Sequence, residues 1–152
     1  MGKRVFLAKG KRGLVYMSCY KGRKTAIKAV NPASKAIGRL KNEAHHLKIL
    51  NRYGIGPKLI SFRKNELKME FIEGDFILEF IEKSEKVDIK KILKNVFHQM
   101  FRIDQLKIDK EEMHRPVKHI IVTKENGPVL IDFERCHESK RPKNVTQWCQ
   151  FL

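Results

Sequence analysis

One apolar stripe at helical spacing, Ile37, Leu40, Ala44, Leu47 and Leu50, stands among short strand-like runs, and it constrains the first half of this chain more than any other feature. An amphipathic helix has one face to bury, and here that face must lie on a sheet. The runs around it are Val5-Phe6-Leu7, Leu14 to Met17, Thr25 to Val30, Leu59 to Phe62 and Leu67 to Phe71. They are rich in branched and aromatic residues, and turn residues separate them at Gly10 to Gly13, Lys21-Gly22-Arg23, Gly54-Ile55-Gly56-Pro57 and Lys64-Asn65. The expected product is a five-stranded antiparallel sheet carrying one long helix, which is capped at its start by Ser34 and stops at Tyr53-Gly54.

The second half reads differently. After a connector at Glu73-Gly74-Asp75, helical patterns cover Phe76 to Ile81 and Ile89 to Leu106, the latter with Ile92, Val96, Met100 and Ile103 on one face. Lys118 to Thr123 and Pro128 to Ile131 read as short strands about an Asn126-Gly127 turn, which puts Asp132 just past a strand end. A closing helix from Arg141-Pro142-Lys143 to Gln150 would seat Trp148 and Phe151 on the core. With 152 residues, the chain has room for a single domain of two lobes. Residues 1–73 form the sheet lobe and residues 74–152 a reduced, mostly helical lobe, so the fold class is α+β.

Lys and Arg number 33 against 17 Asp and Glu, a net charge of +16, so the surface favours anionic partners: nucleotides, nucleic acid or acidic proteins. Basic clusters lie at Lys9 to Arg12, Lys21 to Lys24 and Lys140 to Lys143. No aromatic stacking platform accompanies them, so RNA binding through these clusters would run through phosphates or shape and weaken with salt. A lysine-rich solvated surface accounts for the same charge. No apolar run approaches the ~18 residues of a membrane span, and a cytoplasmic protein without membrane contact is expected. Cys19, Cys136 and Cys149 are widely spaced and show no paired-cysteine motif, so they read as ordinary thiols.

Four islands carry the chemistry. Ala8-Lys9-Gly10-Lys11-Arg12-Gly13-Leu14-Val15 is a glycine loop between strands. Its backbone can approach an anion, or it can be a plain hairpin with a basic tip. Because strands flank it on both sides, it is not the dinucleotide-binding version, in which a helix follows. Lys28 stands in the apolar run Thr25-Ala26-Ile27-Lys28, and Glu43 lies on the register of the helix stripe. If both face inward they must pair, because a buried ammonium is costly alone; if both face outward they are surface charges. Ile131-Asp132-Phe133-Glu134 would deliver a carboxylate from a buried strand to a hard metal, or a helix cap or a partner for Arg135.

In this order and spacing the islands resemble the protein-kinase-like fold, in particular small divergent predicted archaeal serine/threonine kinases related to the RIO-like and lipopolysaccharide kinases. The resemblance spans about residues 4–135. It implies that ATP and Mg2+ are the cofactors. Gly10, Lys11, Gly13, Val15 and Ala26 would surround the nucleotide, Lys28 would touch its phosphates with Glu43 as partner, and Met69, Glu70, Phe71 and Ile72 would form the hinge beside adenine. Asp132 would bind the metal.

The catalytic loop departs from that pattern. Such kinases use a base aspartate followed five residues later by a metal-binding asparagine. Aligned on the apolar strand, His114 and His119 hold those positions; aligned on His114-Arg115, Pro116 and Ile121 do. The strand alignment keeps polar groups in both roles, with His114 as base, Glu112 as its substitute and His119 as a second metal ligand. The resulting expectation is an atypical ATP-dependent kinase acting on a Ser/Thr or other hydroxyl of a protein or small molecule. A nucleotide-binding pseudokinase and a basic nucleic-acid-associated protein are the alternatives.

Overall fold

The computed structural model describes residues 3–10, 13–30, 36–125 and 127–152. The chain divides into two compact units, Met1–Phe71 and Ile72–Leu152. The expected cap Ser34, the loop-tip residues Lys11 and Arg12, and Asn126 lie outside the described residues.

The first unit is a five-stranded antiparallel sheet in the order β1-β2-β3-β5-β4. Its strands are β1 (Val5–Gly10), β2 (Gly13–Tyr20), β3 (Arg23–Ala29), β4 (Leu59–Arg63) and β5 (Glu66–Glu70), and helix α1 (Ile37–Leu50) lies between β3 and β4 in the chain. The two-residue turns after β2 and β4 have positive φ throughout, at Lys21 (49°) and Gly22 (75°) and at Lys64 (49°) and Asn65 (60°). That is the geometry whose twist matches the strands it joins. On α1, Leu40, Glu43, Ala44, Leu47 and Leu50 are buried, and the helix packs on β4 and β5. It ends through Gly54 at φ 70°. Asn51 then stitches the turn, donating to the Ile55 and Pro57 carbonyls at 3.1 and 3.0 Å and accepting from Leu59 N at 2.7 Å.

The second unit begins with β6 (Asp75–Phe76), α2 (Ile77–Lys83) and the 20-residue α3 (Lys86–Gln105). Then come β7 (Ile108–Asp109), β8 (Ile120–Val122), β9 (Pro128–Leu130), β10 (His137–Glu138) and α4 (Asn144–Phe151). The strands form a three-stranded sheet β6-β8-β9 and a two-stranded ribbon β7-β10. α3 starts three residues before the periodicity does, because its first turn is solvent-exposed and leaves no apolar signature. The segment expected as a strand from Lys118 opens instead as a 3₁₀ turn, Pro116–Lys118. Pro116 pre-sets its φ, and its carbonyl accepts from His119 N at 2.8 Å. Gly74 is required by contact, since a Cβ there would stand 2.2 Å from the Val122 carbonyl oxygen.

Ile92, Val96, Met100 and Ile103 bury one face of α3, which packs on β7 and β9, and Ile108, Met113, Ile120, Leu130 and Phe133 are buried in the same unit. α4 packs on α3 through the fully buried Trp148, whose ring stacks on Phe151 at 5.3 Å. The three cysteines are thiols, with Cys136 buried and Cys19 and Cys149 exposed. No helix among the described residues is long and apolar enough to cross a membrane.

Candidate functional site

In the first unit, β3 is the central strand, so any polar side chain it buries must be satisfied there. Lys28 Nζ donates to both carboxylate oxygens of Glu43, at 2.9 Å each. The ammonium side chain is 23% exposed and the carboxylate 1%. The helix therefore hides the anion and the sheet offers the cation. Val15 is the register partner of Lys28, and Ala26 pairs with Met69. With the period of two along a strand, Val15, Ala26, Lys28 and Met69 share one face. Gly10 and Gly13 are opposite each other where β1 and β2 meet. Gly13 has a local reason to be glycine, because a Cβ would lie 2.7 Å from the Ala29 carbonyl oxygen. Glu70, exposed at the end of β5, accepts from Lys58 N at 3.3 Å, and Phe71 N donates to the Lys24 carbonyl at 3.3 Å. Ile72 opens the second unit.

The second unit assembles a polar cluster around Lys110, which is only 2% exposed. Its ammonium donates to the backbone carbonyl of Asp132 at 2.8 Å, lies 3.3 Å from His119 Nδ1, and sits 5.0 Å from the centre of the Phe133 ring. An ammonium can only donate, so Nδ1 is the accepting nitrogen of the neutral imidazole and the proton is on Nε2. That nitrogen lies 3.4 Å from Glu112 Oε2, and Arg135 donates to the other Glu112 oxygen at 2.7 Å. Burial and then the Lys110 charge push the His119 pKa below its ordinary value, against the upward pull of Asp132 and Glu112. His119 is therefore uncharged near neutrality.

The loop bearing these groups is held from behind. Asn144, fully buried, donates to Asp104 Oδ1 and the Ile108 carbonyl, both at 2.7 Å, and accepts from Lys110 N at 2.9 Å. Asp104 also receives the first amides of α4, Asn144 N at 3.1 Å and Val145 N at 3.2 Å, so a carboxylate on α3 caps α4. Asp109 Oδ1 accepts from Glu111 N at 3.0 Å. Beyond it Glu111 and Glu112 take φ of 63° and 58°, and Asp132 takes 64°, conformations that non-glycine residues hold only when the surroundings over-determine them. The sequence had one sign of this: Asp104 sits at the wrong end of its own helix dipole, and it is the right charge for the start of another.

An open cleft of about 610 Å³ in this unit is lined by Asp109, Glu112, His114, Arg135, Arg141 and Lys143, among others. His114 is exposed on its wall. Glu112 belongs to both the cleft and the cluster, and Arg135 holds one of its oxygens. Among the described residues no group of three or more His, Cys, Asp or Glu side chains is arranged to hold a metal. His119 Nδ1 already faces the Lys110 ammonium, and nitrogen suits magnesium poorly. Asp132 supplies a carboxylate. This donor set fits a magnesium carried in by a nucleotide, whose phosphates and waters complete its shell, rather than one bound by the protein alone.

Among the described residues these features define an α+β protein with a five-stranded antiparallel sheet, four α-helices, a buried lysine–glutamate pair in one unit and a lysine–histidine–carboxylate cluster in the other. No protein-family model matches the chain. It is similar to the uncharacterized protein MJ1211 of Methanocaldococcus jannaschii, with 28% identity over 78 residues. The match covers 51% of this chain and 66% of MJ1211, just under two thirds of that relative's length.

Proposed function

We propose that the chain is an atypical ATP-dependent phosphotransferase of the protein-kinase-like class, acting on a serine, threonine or other hydroxyl. The Lys28–Glu43 pair is the observation that carries this reading. A strand ammonium oriented by both oxygens of a buried helix carboxylate keeps one fixed direction and presents positive charge to phosphate oxygens without rearranging. Pre-set charge of this kind supplies most of the catalysis in phosphoryl transfer.

Magnesium, when bound with the nucleotide, neutralises charge on the phosphates. Asp132 is the carboxylate that would hold it, and Lys110 fixes the backbone from which Asp132 projects. Glu112 would take the hydroxyl proton of the acceptor. Arg135 donates to one oxygen of its carboxylate and His119 stands beside the other, and the cleft it lines can admit a small acceptor or a side chain. His119 acts here as a positioning residue.

Transfer of the terminal phosphate of radiolabelled ATP to water, to the chain itself and to a general protein acceptor tests the reading, with Lys28→Met, Asp132→Asn and Glu112→Gln beside the parent. Each substitution is expected to lower transfer by about 100-fold or more. Transfer that survives in the Lys28 and Asp132 variants overturns the proposal. Tight magnesium-nucleotide binding by the parent with no transfer makes the chain a nucleotide-dependent binding module instead.

A further inference from the structure

Helix α3 carries a second face that its packing does not use. With Ile92, Val96, Met100 and Ile103 turned inward, Lys90, Lys94, Phe97, His98, Phe101 and Arg102 are all exposed. At 100° per residue these six fall within an arc of roughly 140°, and they run about 18 Å along the axis. Phe97 is 37% exposed and Phe101 50%. One turn apart, they continue the edge started by Lys90 and Lys94, and the Phe97 ring meets the His98 ring edge-on at 6.2 Å. The acidic residues of α3 are Asp88, at the far N-terminal end, and Asp104, which caps α4.

We infer that this face binds single-stranded nucleic acid. Lys90 and Lys94 would meet phosphates, and Phe97 and Phe101 would stack on unpaired bases. Two partly exposed aromatic rings beside a row of cations match a partner that is both anionic and flat-faced. A single strand offers both along its length, whereas a duplex keeps its base faces stacked. The charge of the whole chain, +16, draws the same partner. The basic clusters at residues 9–12, 21–24 and 140–143 lack this interleaving in sequence; α3 acquires it only when its other face is buried. The inference is independent of phosphate transfer.

Fluorescence anisotropy of the full chain with a labelled, unstructured oligouridylate, titrated across a salt series, is the test. Phe97→Leu with Phe101→Leu keeps apolar area and removes the rings. It should weaken binding by about 10-fold or more while leaving the salt dependence as it was. Lys90→Gln with Lys94→Gln should instead flatten the plot of log affinity against log salt, by a slope of about 0.7 for each lysine. Because all four positions are exposed, the melting curves should match the parent's. The inference is overturned if the leucine pair binds within about twofold of the parent, or if a duplex of equal length binds as tightly as the single strand. Binding to phosphatidylserine vesicles that the leucine pair retains, with no binding of the oligouridylate by the parent, also overturns it and makes the face a membrane contact.

Discussion

Lys28 in the first unit and Lys110 in the second are both lysines on or beside a strand, yet their ammonium groups are held in different ways. Lys28 meets two carboxylate oxygens of Glu43. Lys110 donates to a backbone carbonyl and faces an imidazole nitrogen. The first arrangement hides the anion and leaves the cation partly in water, at 23% exposure, so it presents charge. The second is 2% exposed, and its charge is spent on fixing the backbone of Asp132 and the tautomer of His119. A buried lysine can therefore be either a binding group or a structural pin, and exposure separates the two: Lys28 keeps part of its side chain in water and Lys110 does not.

If the second unit depends on such pinning, its most damaging loss should be Asn144. Asn144→Ala strips the Ile108 carbonyl and the Lys110 amide of a buried partner, for an expected cost of about 3 kcal/mol. Urea midpoints combined with hydrogen exchange would report it. Amides of α4 should lose protection while those of β2 and β3 keep theirs; equal loss in both units would break the distinction.

Glu43→Gln should cost less, about 2 kcal/mol. Removing one partner of a fully buried pair costs about 3–5 kcal/mol, but Lys28 can turn part of its ammonium to solvent. The destabilisation should appear in β3 and α1 by the same exchange measurement. A cost under about 0.5 kcal/mol would mean that the pair behaves as a surface ion pair.

The smallest effect separates the units by pH. The folded pKa of His119 lies below its ordinary value of 6.5. As pH falls through the window between that value and the lowered folded one, the unfolded chain takes up the proton first and stability is lost; above 6.5 the group contributes no slope. Urea midpoints of the parent should therefore fall between pH 7.5 and the acid side of this window more than those of His119→Asn, by about 1 kcal/mol or less. Parallel profiles for the two proteins would show that His119 is not shielded as its surroundings imply.

Much of the first unit was legible in the residues. A stripe from Leu40 to Leu50 needs a surface to cover, and β3, running through Lys28, demands an acid where Glu43 stands. The turn residues at Gly22 and Asn65 adopt the positive φ that their chemistry permits. In the second unit the apolar face of α3 was equally plain, but the roles within the loop from Ile108 to His119 were not. Of the two residues read as base, both line the cleft, His114 exposed and Glu112 held by Arg135, a contact that the order of residues does not show. Lys110 and Asn144 had no signature as a pair, because nothing in the residues themselves reveals which chain segments meet.

Periodicity and turn chemistry act over a few residues, so the sequence alone determined the helices, the hairpins, the excess positive charge and the face of each helix that must be buried. Contacts between Asn144 and Lys110, 34 residues apart, or between Val145 and Asp104, 41 apart, exist only because the chain returns on itself. Tertiary structure decided the cap of α4, the tautomer of His119, the orientation of Glu112 and the exposed aromatic edge of α3. The physical reason is that hydrogen bonds and burial depend on distance in space, and a linear order of residues does not specify that distance until the core has formed.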